Sequence, residues 1–196
     1  ATTTGNIDAD YIKLMPSNSG TLLIDGETVT ADNYLNISGG TLQITGGTLS
    51  VTSNSSTSNQ LSAGTIDIDG GSLLIGETND NSADLNMTGG TIDISGGALS
   101  ISDELDVATG TVTQTGGTIN IFNYTGSGNG SSSDKFEMDA GTLNLTGGTL
   151  TLKGQVSGST YDAMSIASGV TVNANSAHII NVQSNNGNSD DENIYN

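Results

Sequence analysis

Three carboxylates raise the question of what chemistry this chain could do. Asp67, Asp69 and Asp93 fall in the repeated strings "TIDID" (65–69) and "TIDIS" (91–95). Brought together on neighbouring repeats, such groups would hold calcium or act as an acid–base pair on a polysaccharide. The equivalent positions elsewhere are Gln43, Asn120 and Asn144, which limits the cluster to one or two repeats. The chain also has no arginine to accompany them. A solvated acidic face is therefore expected here, and no catalytic residue is assigned.

Thr41, Thr65, Thr91, Thr118 and Thr142 recur at one place in the repeat and would line up as a ladder. A regular threonine array suggests an ice-binding face. The second outward position reads Thr45, Asp69, Ser95, Phe122 and Thr146, which breaks the array. Hydroxylated β-branched residues suit exposed strands in any case. His178 stands alone beside "HIINV", so a structural or solvated histidine is expected rather than a ligand. Gln114 aligns with Ile37, Met87 and Met138; facing inward, its amide would need hydrogen-bond partners. The glycine pairs match no GxxxxGK[ST] phosphate loop, and no helix follows them.

Composition narrows the choices. Twenty-one acidic residues face three lysines, for a formal net charge of −18. Nucleic acid is excluded as a partner, because phosphate contacts need clustered cations. No cofactor is expected; cations, calcium especially, are the natural small partners of such a surface. Cysteine is absent, which removes disulfides and thiol chemistry. No apolar run reaches the ~20 residues of a membrane span. The chain starts at Ala1, as it would after removal of a leader.

The elements that position these residues are short strands. The strings "TLQIT" (41–45), "TIDID", "TIDIS", "TINIF" (118–122) and "TLNLT" (142–146) alternate polar and apolar, which is the period of a strand. Each follows an anchor glycine: Gly20, Gly40, Gly64, Gly90, Gly117, Gly141 and, more loosely, Gly169, spaced 20 to 28 residues apart. A corner follows seven residues on, at Gly46-Gly47, Gly70-Gly71, Gly96-Gly97 and Gly147-Gly148, with Asn123-Tyr124 substituting in the fifth repeat. Gly39-Gly40 and Gly89-Gly90 form the other sharp corner. Glycine reaches positive φ without a steric penalty. Two further alternating strings per repeat and a long, variable third corner complete the pattern.

Repeats of this length indicate a solenoid or a propeller. The strands are too short and the corners too tight for propeller blades. The expected fold is all-β: a single-domain, right-handed parallel β-solenoid of six to seven coils, three short strands per coil. Residues 1–19 are expected to form an N-terminal strand, cap or exchange segment, residues 20–182 the solenoid, and residues 183–196 a polar tail.

The phrase "GGTLxIxGGTL" at 39–49, 89–99 and 140–150 resembles bacterial cell-surface β-solenoids of the autotransporter-passenger and filamentous-adhesin kind. The likeness runs over roughly residues 20–172. It implies an extracellular, bacterial-surface location and a structural or adhesive role.

A solenoid leaves a strand layer open at each end, and no capping helix is visible in the sequence. Strand-like stretches lie at 5–15 and 177–183, and two apolar residues interrupt the polar tail. Ile7, Tyr11, Ile12, Leu14, Ile179, Ile180, Val182, Ile194 and Tyr195 are accordingly the candidate subunit contacts. The expected function is a self-assembling filament subunit, whose partners are other copies of itself. An adhesin contacting surface glycans through its third-corner loops is the alternative, and a carbohydrate-active enzyme is a weaker one.

Overall fold

The computed structural model describes residues 6–17, 19–52, 59–76, 83–122, 135–154, 163–184 and 194–195. All regular structure among them is strand, in one 19-stranded sheet whose neighbours pair in parallel. The sheet winds into a solenoid with three faces.

Face 1 stacks β2 (Thr21–Ile24), the end of β3 (Thr28–Ile44), the end of β5 (Asn59–Ile68), β8 (Thr91–Ile94), β11 (Thr111–Gln114), β14 (Gly141–Leu145) and β17 (Val170–Ala174). Face 2 stacks the start of β1 (Ile7–Leu14), the start of β3, β4 (Thr48–Val51), β6 (Ser72–Ile75), β9 (Ala98–Ile101), β12 (Thr118–Phe122), β15 (Gly148–Gly154) and β18 (His178–Ser184). Face 3 stacks the end of β1, the middle of β3, the start of β5, β7 (Leu85–Met87), β10 (Leu105–Val107), β13 (Phe136–Met138), β16 (Met164–Ile166) and β19 (Ile194–Tyr195). The chain visits face 1, then 2, then 3, and seven face-1 strands mark seven coils among the described residues.

Alternation decides which side chains enter the rod. Leu42, Ile66, Ile92, Val112 and Leu143 form one buried column on face 1; Val29, Leu49, Leu73, Leu99, Ile119 and Leu150 form one on face 2. No coil could bury these residues by itself, so each is held by the coils on either side. Full burial of one such side chain contributes about 1.5–3 kcal/mol.

The glycine pairs have two separate causes. At the corner after β5, Gly71 has φ of +64°. Its neighbour Gly70 has an ordinary φ, but a Cβ there would lie 2.5 Å from the Thr45 carbonyl oxygen of the preceding coil. One glycine bends the chain; the other lets the coils approach.

The fifth coil departs from the sequence expectation. Thr118–Phe122 lies on face 2, with Ile119 opposite Leu99 and Leu150. The face-1 strand is β11, and its anchor is Gly110 (φ +142°), not Gly117. The corner between them is Gly116-Gly117; Asn123 and Tyr124 lie outside the described residues. Gln114 consequently stands opposite Ile94 and Leu145, not in line with Ile37, Met87 and Met138. The reason is packing: "TVTQ" and "TINIF" share the same inward–outward alternation although Gln114 is polar, and "TVTQ" is the one that continues the column between Ile92 and Leu143. The third corner of the fourth coil is short, Ser102 to Glu104, before β10. Both chain ends join the stack: β1 pairs with β3, and β19 pairs with β16.

Candidate functional site

Face 1 carries the outward residues singled out from the sequence. Its threonine ladder is longer than expected, running Thr21, Thr41, Thr65, Thr91, Thr111, Thr142 and Thr171 in unbroken register. Thr111, not Thr118, is its fifth member. The adjacent outward column reads Leu23, Gln43, Asp67, Asp93, Thr113, Asn144 and Asn173, so no second threonine row accompanies it. Its last members form a relay: Asn173 Nδ2 donates to Asn144 Oδ1 at 2.8 Å, and Asn144 Nδ2 to Thr113 Oγ1 at 3.1 Å.

The acidic cluster does form. Asp67 and Asp93 are direct cross-strand neighbours. Gln43 Nε2 donates to Asp67 Oδ2 and to Asp69 Oδ2, both at 3.1 Å, and Ser95 Oγ donates to Asp69 Oδ1 at 2.7 Å. Partial burial raises the Asp67 carboxyl above its usual range, with Asp69 and then Asp93 adding to the shift and the Gln43 bond opposing it. On face 3, burial and the charge of Asp139 raise Asp106 in the same way. Among the described residues no group of three or more His, Cys, Asp or Glu side chains is placed to hold a metal ion. Asp67 and Asp69 are hydrogen-bonded by the Gln43 amide and the Ser95 hydroxyl.

Inside the rod lie polar groups whose partners no local pattern announced. Gln114 is fully buried; its Nε2 donates to Thr149 O at 3.0 Å and to Gly117 O at 3.2 Å. Its Oε1 meets His178 Nε2 at 2.8 Å. With the amide nitrogen committed to carbonyls, Oε1 is the acceptor and His178 the donor. His178, read from the sequence as solitary, is thus a partnered side chain of the last coil. Asn59 stands in the Leu85 column and bridges coils, accepting from Leu35 N at 2.9 Å and donating to Asp84 O at 3.1 Å. Lys135 Nζ donates to Asp103 Oδ1 at 2.8 Å, both side chains nearly solvent-free.

No protein-family model, curated protein or solved structure matches this chain. Its chemistry has to be read from its own surfaces.

The ends are where that surface is unusual. At the C-terminal end, Val172 continues the column of Leu143, and Ile180 that of Leu150. These inward-pointing side chains remain 44 % and 40 % exposed, whereas their predecessors are buried. Ile179, on the outer side of the same strand, is 58 % exposed, and Val182 is half-buried. At the N-terminal end Ile7 and Leu14 are half-buried and Ile12 is buried. Tyr11 points outward and stacks on Tyr34, ring centroids 5.1 Å apart and 4° from parallel. Ile194 and Tyr195 pair through backbone with Met164 and Ser165, at the last rung of face 3. The candidate contact residues therefore gather on the first and last rungs. No helix among the described residues is long and apolar enough to cross a membrane.

Proposed function

We propose that this protein is a structural subunit of a self-assembling extracellular bacterial filament, polymerising head to tail through its solenoid ends. One observation carries the reading: the last rung exposes a core side chain, Ile180, whose counterparts in the same column are covered on earlier rungs. Its β17 and β18 also carry no further strand among the described residues on their outer edges. Open strand edges recruit other chains. Each internal rung displays the edge that the next rung covers, so the complement of one end of the rod is the opposite end of another copy. Such a heterologous contact does not close and yields a filament.

The bacterial-surface location rests on the resemblance of the "GGTLxIxGGTL" phrasing to bacterial surface solenoids. The reading assigns the chain no catalytic role. The glycan-binding alternative depends on third-corner loops that lie largely outside the described residues, and no observation favours it. Sedimentation velocity and electron microscopy at rising concentration test the proposal. Rods many times longer than one subunit's roughly 35 Å are expected. Discrete monomers at every concentration would end it.

A further inference from the structure

We infer that the incoming copy docks through faces 2 and 3 in the solenoid's own register, setting Ile7 over Ile180 and Asp8 over Asn181, and that no strand of the described residues pairs with face 1 at the junction. This rests on the filament reading and specifies the partner surface within it.

The register follows from the columns. On face 2 one column runs Ile7, Val29, Leu49, Leu73, Leu99, Ile119, Leu150, Ile180. Its outward neighbour runs from Asp8 through Thr30 and Ser50 to Thr151 and Asn181. Continuing the stack by one rung puts the next copy's Ile7 over Ile180 and its Ala9 over Val182. Asp8 then meets Asn181, whose amide can donate to the carboxylate. On face 3 the same step sets Ile12 and Lys13 at the register positions above Ile194 and Tyr195.

Face 1 behaves differently because of strand count. Among the described residues it holds seven strands, and faces 2 and 3 hold eight each. The chain enters the stack on face 2, through β1, and first reaches face 1 at β2. When faces 2 and 3 are continuous across a junction, β2 of the incoming copy stands two rungs from β17, not one. Among the described residues Val172 therefore gains no strand partner, although it is as exposed as Ile180.

Two-fold contacts fit less well. Turning one rod over reverses the order of its faces about the axis, so only one face can meet its own kind. An N-end to N-end contact would also set Asp8 and Asp10 against the same charges.

The test uses the absence of native cysteine. A double variant, Asp8→Cys with Asn181→Cys, is concentrated, oxidised mildly and run on a denaturing gel without reductant; its reduced form is followed by sedimentation. Neighbours one rung apart are within disulfide reach. The expected result is a ladder of covalent multimers that reductant collapses, with each single variant remaining monomeric on the gel. Dimers from Asn181→Cys alone would overturn the inference in favour of a two-fold contact. Sedimenting assemblies without a ladder would overturn the register while leaving the filament standing. Absence of assembly in both the reduced double variant and the unaltered chain would overturn the filament reading itself. As a second arm, Ile180→Asp should weaken assembly at least about tenfold, and Val172→Asp by no more than about twofold. Equal losses would place face 1 in the contact and overturn the inference.

Discussion

His178 Nε2 lies 2.8 Å from Gln114 Oε1, a contact that spans 64 residues and ties the last coil to the fifth. Gly148, between them in the stack, has no room for a side chain: a Cβ there would sit 2.7 Å from Gln114 Nε2. A buried glutamine, a glycine and a histidine thus act as one unit that fixes the start of β18, the strand whose far edge is proposed to accept a second copy.

Burial lowers the pKa of His178 from 6.5. The folded state disfavours the charged ring, so its contribution to stability is complete above pH 6.5 and declines as pH falls through that value toward the folded pKa. Amide hydrogen exchange in β18, corrected for intrinsic rates, should accelerate from pH 7.5 to 5.5 relative to β9. His178→Gln should abolish this differential response. An unchanged differential in that variant would refute the assignment.

Asp67 has the opposite sign. Its folded pKa is raised above 3.8, mainly by burial and then by Asp69 and Asp93. Ionised Asp67 therefore opposes folding above that raised pKa, and the penalty is relieved as pH falls toward 3.8. Asp67→Asn should raise the thermal midpoint at pH 7 and leave it nearly unchanged at pH 3. Melting curves at the two pH values decide this.

The corner glycines provide an internal comparison. Gly71→Ala would place a Cβ 2.5 Å from the Gly47 carbonyl oxygen at a φ of +64°, whereas a Cβ at Gly20 meets nothing within 4 Å. Gly71→Ala should cost more than about 1–3 kcal/mol, since strain and a backbone clash combine. Gly20→Ala should lie within about 0.5 kcal/mol of the unaltered chain. Urea denaturation followed by circular dichroism measures both.

Lys135 and Asp103 form a nearly solvent-free ion pair joining the third corners of successive coils. Lys135→Met takes a cationic partner from the buried Asp103 carboxylate, so it should destabilise by about 3–5 kcal/mol. Lys135→Met combined with Asp103→Leu should recover most of that loss. A double variant no better than the single one would show that the pair contributes more than the desolvation it costs.

By itself the sequence determined the strand alternation, the glycine corners and a stacked parallel solenoid. These depend on neighbours in the chain: period two sorts Leu42 from Gln43, and only glycine bends at positions such as Gly71. It did not decide which face a given string occupies. Strands of faces 1 and 2 share one inward–outward alternation, so "TVTQ" and "TINIF" were interchangeable until Val112 was set between Ile92 and Leu143, and Ile119 between Leu99 and Leu150. The placement of His178 against Gln114, of Lys135 against Asp103, and the exposure of Ile180 likewise arose only when distant coils were stacked. Side-chain direction is a local property of a strand; the identity of its neighbour is fixed by what the adjoining coil leaves to be filled.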